Sequence, residues 1–228
     1  MLTFTIDYTY TIYIISHKYT GDNSLKNKKH KDKMKIRIPF PSILFYAFLI
    51  IYDKSIFTLI TLGAALLHEL GHMTAAGLCG IGITEITVYP FGADMKLNHP
   101  LRSYRKDIII SAAGAAVNAA AALSALLMPA SELREWIIAC NLTLVITNLI
   151  PVEGLDGGGI LRGIICIISN GEKADSTLKA TSFAGLFLMW TAAVYILFVN
   201  NGNPSLFIIS CALFVSVFVR DTHRKKTE

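Results

Sequence analysis

The sequence predicts an all-α polytopic membrane protein of six spans, with a small membrane-associated β segment between the second and third. Three observations predict it. Of 228 residues, 53% are hydrophobic and 16% charged, whereas an ordinary soluble domain carries about a quarter charged residues. The apolar residues, which give a mean hydropathy of +0.51, gather into runs long enough to enter a bilayer. The 21 Lys and Arg lie between those runs. On a six-span map they collect on one side, leaving Lys54 and Arg134 on the other. Cytoplasmic segments carry such an excess, so both termini are expected inside. The formal charge of +5 thus follows membrane topology. No basic stripe is interleaved with aromatics, so nucleic acid is not an expected partner.

Residues 1–33 differ from the rest. "MLTFTIDYTYTIYIIS" alternates Thr with bulky apolar residues, and a polar basic tract follows. No basic start precedes an apolar core with a small-residue cleavage site, as a signal peptide would require. This part is expected to be an N-terminal extension, either disordered, lying on the surface or upstream of a true start at Met34. The membrane domain then occupies 34–228. Its first apolar segment, about 38–52, is short for a span, and "DKS" turns the chain. The second, 56–78, is followed by "GITEITVYPFGADMKL" over 82–97, whose alternation predicts strands. The third, 108–128, is rich in Ala and Gly, as close helix packing requires. The fourth, 136–150, is broken by Pro151 and then by "GLDGGG". Segments near 181–199 and 206–219 complete the set. Cys79, Cys140, Cys166 and Cys211 lie far apart without a CxxC pair, so they read as small buried hydrophobes.

The second segment carries the chemistry. "LGAALLHELGHMTAAGL" places His-Glu-x-x-His inside an apolar helix, where an ionised side chain at mid-bilayer costs about 2.5–3.5 kcal/mol. The spacing puts His68 and His72 on one helical face, one turn apart, as a zinc ion requires. Glu69 then stands beside the metal as a general base. Shuffling the composition gives roughly 0.005 chance copies of this pattern. A packing or pH-sensing His pair is the alternative.

A catalytic zinc wants a third protein ligand and an open position. The candidates are Asp53, Glu85, Asp94, Asp107, Glu153, Asp156 and the other histidines, His17, His30, His99 and His223. Asp156 stands apart because Pro151 and Gly157–Gly159 interrupt an otherwise membrane-like stretch around it. Such breaks are tolerated at membrane depth where they are covered by protein or line a cavity. The competing role for Asp156 is to N-cap the short helix that follows.

"HELGH" in a transmembrane segment followed by "NLIPVEGLDGG" resembles the site-2 protease family of intramembrane zinc metalloproteases. The resemblance covers the chain from about Met34 onward. It implies Zn²⁺ as cofactor, His68, His72 and Asp156 as ligands, Glu69 as the catalytic base, and Asn148 as a residue near the substrate. Gly114 and Asn118 in "AAGAAVNAA" match a Gly-x-x-x-Asn element of the middle span, which adds Asn118 to the substrate-binding candidates. The compact layout and "ITVYPFGA" are most similar to the sporulation branch, which processes the pro-sigma-K precursor. That branch implies a membrane-associated protein substrate, the lipid bilayer and inhibitory membrane proteins as partners, in the cell membrane or the outer membrane of the forespore. The alternatives are a same-fold protease acting on another membrane regulator, or a non-catalytic zinc-binding membrane protein. A zinc or proton transporter is a third, and it expects polar residues along a continuous path across several spans.

Overall fold

A computed structural model describes residues 9–14, 34–52, 55–89, 92–98 and 103–199. The chain divides into two compact units. The first holds residues up to 59 together with 76–101. It contains β1 (Thr9–Ile14), β2 (Met34–Pro39), α1 (Phe40–Tyr52), β3 (Ile83–Tyr89) and β4 (Gly92–Leu97). The sheet order is β1-β2-β3-β4. β1 runs antiparallel to β2, with Thr9 opposite Pro39 and Ile14 opposite Met34. β2 is parallel to β3, Lys35 facing Glu85 and Arg37 facing Thr87. β3 and β4 form the antiparallel pair expected over 82–97, with an irregularity between Ile83 and Glu85.

Residues 38 and 39 therefore belong to a strand, not to the first span. In "KIRIP" the alternation of Ile36 and Ile38 with Lys35 and Arg37 is a period of two. Pro41 sits in the first turn of α1, where its missing N–H is an orphan anyway. Thirteen residues give α1 about 20 Å, against a hydrocarbon core of about 30 Å. Tyr46 Oη donates to the Tyr89 carbonyl at 2.9 Å, tying α1 to β3. Across the sheet, Glu85 accepts from Arg37 at 3.2 Å and from Lys96 at 3.5 Å.

The long helix α2 (Ile56–Leu78) contributes its central part, 60–75, to the second unit. It ends where Gly80 takes φ +72° and Ile81 N–H returns to the Ala76 carbonyl at 2.9 Å, a left-handed stop that glycine takes without strain. The rest of the second unit is α3 (Tyr104–Ala125), α4 (Glu132–Asn148), α5 (Asp156–Ile168) and α6 (Gly171–Val199). α3 buries small residues, Gly114, Ala115, Ala122 and Ala125, together with Asn118. Its neighbours approach closely: a Cβ at Gly159 of α5 would stand 2.7 Å from Ser111 Oγ, and one at Gly163 would stand 2.6 Å from Ile108 Cγ1.

Three helices are long and apolar enough to cross a membrane, at Ile56–Leu78, Tyr104–Ala125 and Gly171–Tyr195. Their outer faces are greasy, with Leu66, Leu123 and Phe187 all more than half exposed. Where six spans were expected, the described residues hold three full-length ones. The helices α1 and α4 are shorter, at 13 and 17 residues, and the segment expected at 206–219 lies outside the described residues. The same is true of Asp53, His17, His30, His99 and His223.

Candidate metal centre

Helical spacing stacks His68 and His72 on α2, and both are buried. Their Nε2 atoms stand 3.1 Å apart. Asp156 Oδ2 closes the triangle, 3.0 Å from His68 Nε2 and 3.3 Å from His72 Nε2. Among the described residues, these three side chains form the group whose donor atoms converge as a metal ion requires. The other described third-ligand candidates lie elsewhere: Glu85 is held by Arg37 and Lys96 in the sheet, Asp94 is on β4, Asp107 lies in the first turn of α3, and Glu153 lies in the turn before α5.

Asp156 reaches this position through the break in the chain. α4 ends at Asn148, and the turn that follows bends back through Val152 N–H to Ile150 O at 2.8 Å and Leu155 N–H to Val152 O at 3.0 Å. Gly154 at its apex takes φ +96°, a region costly for any side chain. A Cβ on Gly157 would collide with the carbonyl oxygens of Leu149 and Ile150, so the turn closes only around a glycine. The N-cap of α5 is Leu155, with no side-chain cap bond. Asp156 is the first residue of the helix, and its carboxylate faces the imidazoles instead of capping.

The donor chemistry fits a cation. His72 Nδ1–H donates to the Ile110 carbonyl of α3 at 2.7 Å, which leaves Nε2 of the neutral ring as a bare lone pair. That lone pair faces a carboxylate oxygen at 3.3 Å, a repulsive contact unless positive charge lies between them. Tetrahedral zinc with ligands at about 2.0–2.1 Å separates its donor atoms by about 3.3 Å, and the three separations here are 3.0, 3.1 and 3.3 Å. Ile110 supplies the carbonyl that such histidines commonly use to fix ring orientation. The pair shows an asymmetry: His68 Nδ1 is buried with no hydrogen-bond partner among the described residues.

Gly114 makes the space. A Cβ there would come within 2.7 Å of His68 Nε2 and Cε1, and would also meet His72 Nε2. On α2, next to His72, a Cβ on Gly71 would stand 2.9 Å from the Ala113 carbonyl and 3.1 Å from Gly114 Cα. The two glycines let α2 and α3 touch where the imidazoles emerge. The remaining expected site residues lie as follows. Glu69 is half-buried on α2 beside His68. Asn148 closes α4, its Nδ2 donating back to Leu144 O at 3.0 Å. Asn118 is fully buried, and neither Oδ1 nor Nδ2 meets a partner among the described residues. Sequence reasoning did not anticipate the roles of Ile110 and Gly71. A glycine inside an apolar run was the available signal for Gly71, while a backbone carbonyl has none.

Comparison with known proteins gives the fold and the family. The solved site-2 protease from Methanocaldococcus jannaschii is 23% identical, with a TM-score of 0.60 over 90% of this chain and 93% of that one, which establishes a shared fold. "Putative zinc metalloprotease sll0528" from Synechocystis is 28% identical over 123 residues, covering 50% of this chain and 32% of that protein. "Putative zinc metalloprotease Rip3" from Mycobacterium tuberculosis is 29% identical over 115 residues, covering 46% and 29%. The matched region is therefore about a third of the length of either curated relative. The family model described as peptidase family M50 matches residues 56–132 and 127–192, more than half of the 228 residues and the whole of the metal centre. The chain belongs to peptidase family M50.

Proposed function

We propose that this chain is a zinc-dependent intramembrane endopeptidase. His68, His72 and Asp156 hold the metal, Glu69 is the general base, and Asn148 and Asn118 hold the substrate backbone. The observation that carries the reading is the triangle of donor atoms at 3.0, 3.1 and 3.3 Å over a glycine that leaves room for an ion. Bound zinc supplies Lewis acidity, polarising a carbonyl oxygen and acidifying water. Glu69 takes the proton from the attacking water and returns it to the amide nitrogen as the C–N bond breaks. Ile110 holds the His72 ring so that its Nε2 lone pair points at the site. Side-chain amides suit the substrate role, since each offers a donor and an acceptor to an extended peptide.

The protein is multi-pass in this reading, with both termini cytoplasmic, as the distribution of Lys and Arg supports. The substrate is a membrane-associated precursor, and the similarity of "ITVYPFGA" and the compact layout to the sporulation branch favours a sigma-factor proprotein such as pro-sigma-K. Inhibitory membrane proteins would be further partners. Co-expression with pro-sigma-K tests this reading. Glu69→Gln should keep zinc and fold yet lower cleavage by about 10²–10⁴-fold, the range of general-base contributions. Unchanged cleavage in that variant would refute the enzymatic role. Shortening of a different membrane regulator, with pro-sigma-K untouched, would redirect the substrate assignment.

A further inference from the structure

The position of Asp156 depends on the turn before it, and that turn is held from α6. Val152 is completely buried, and it packs where Gly185 lacks a side chain: a Cβ there would stand 2.6 Å from Val152 Cγ2 and 3.2 Å from Ile150 Cγ2. One helical turn earlier on the same face, Ser182 is 1% exposed. Its Oγ accepts the backbone N–H of Glu153 at 2.7 Å. Glu153 lies next to Gly154, the residue at φ +96°, so its amide sits beside the left-handed residue of the turn between α4 and α5.

The internal bonds of the turn fix its curvature but not its placement. Val152 N–H, Leu155 N–H and Gly158 N–H all close onto carbonyls within 150–155, so the turn could shift as a body without breaking them. The contacts from α6 are of another kind. Gly185 sets the depth of Val152, and Ser182 fixes the rotation of the Glu153 peptide. Three residues on, Asp156 Oδ2 must sit within 3.0–3.3 Å of two imidazole nitrogens. Metal–ligand distances tolerate errors of only about 0.2 Å.

We propose that Ser182 is a positioning residue for the metal centre: through the Glu153 amide it fixes the turn that delivers Asp156 to His68 and His72. The inference rests on the metal assignment made above. Without the hydroxyl, a part-buried amide hydrogen loses its acceptor, and the turn rotates to find another. The cost falls on the carboxylate ligand, not on the histidines, which stand on α2, with His72 held further by the Ile110 carbonyl.

The test uses the full chain in detergent, loaded with cobalt(II) and read by its visible absorption, with zinc affinity measured by chelator competition. Ser182→Ala should bind either metal about 10- to 100-fold more weakly, the usual effect of losing a group that orients a ligand, and should shift the cobalt bands. Ser182→Thr keeps the hydroxyl and should restore both within about threefold. Thr191→Ala lies on the same helix, with its hydroxyl bonded to Phe187 O, and should change neither. If Ser182→Ala does not fold, Gly185→Ala probes the same clamp by crowding Val152 and should shift the bands likewise. Wild-type bands and affinity in folded Ser182→Ala, or in Gly185→Ala where it stands in, would overturn the clamp and leave the metal centre intact. A wild-type chain that binds no cobalt would overturn the metal assignment itself, and this inference with it.

Discussion

Gly114→Ala is the most direct test of how the site is built. The new methyl carbon would lie 2.7 Å from His68 Nε2, where ordinary contact begins at 3.4 Å, so the imidazole must retreat by at least about 0.7 Å. That exceeds the tolerance of about 0.2 Å on a metal–ligand distance. The second ring meets the same atom, so the pair cannot both retreat and stay within reach of Asp156. Overpacking of this kind costs about 1–3 kcal/mol, which is about 5- to 150-fold in zinc affinity. The metal-free protein should suffer less, because replacing a mid-helix glycine by alanine returns about 0.5–1 kcal/mol. The assay is zinc affinity by chelator competition in detergent, beside thermal melting of metal-free protein. Gly77→Ala is the control: a Cβ there has nothing within 4 Å, so zinc affinity should not change. Wild-type zinc affinity in Gly114→Ala would refute the argument that this glycine makes room for the site.

Two further predictions follow from the same geometry. Gly157→Ala sets a methyl against the carbonyl oxygens of Leu149 and Ile150, backbone atoms that cannot swing aside; the expected loss is at the upper end of about 1–3 kcal/mol, with zinc stoichiometry falling below one, measured by melting and elemental analysis. Asn118→Leu removes a buried amide with neither atom paired among the described residues, so melting should rise by the equivalent of about 1–3 kcal/mol while KM for the substrate rises. A lower melting point would show that the amide is already satisfied inside the folded protein.

The two histidines were legible because their relation is local: four residues on one helix fix their geometry without tertiary information. Asp156 was legible for a different reason, since Pro151 and the glycines beside it announce a break that an apolar segment would otherwise avoid. The strand pair over 83–97 was readable from alternation, but the pairing of β2 with β3 was not. Parallel pairing joins segments separated by two helices, and no local pattern records which strand will be the neighbour. The residues at 38 and 39 were misassigned because Ile38 and Pro39 border an apolar run, and the run outweighed a short alternation. Ser182 left no trace in the sequence, because one hydroxyl on a long helix gains meaning only from the amide it meets.

Asp156, which opens α5, lies far along the chain from His68 and His72 on α2. A ribosome adding about 5–20 residues per second makes the two imidazoles several seconds before the carboxylate. During that interval a nascent chain holds an incomplete set of donors. On the proposed function, hydrolytic capacity would then be absent until the segment carrying Asp156 has been synthesised.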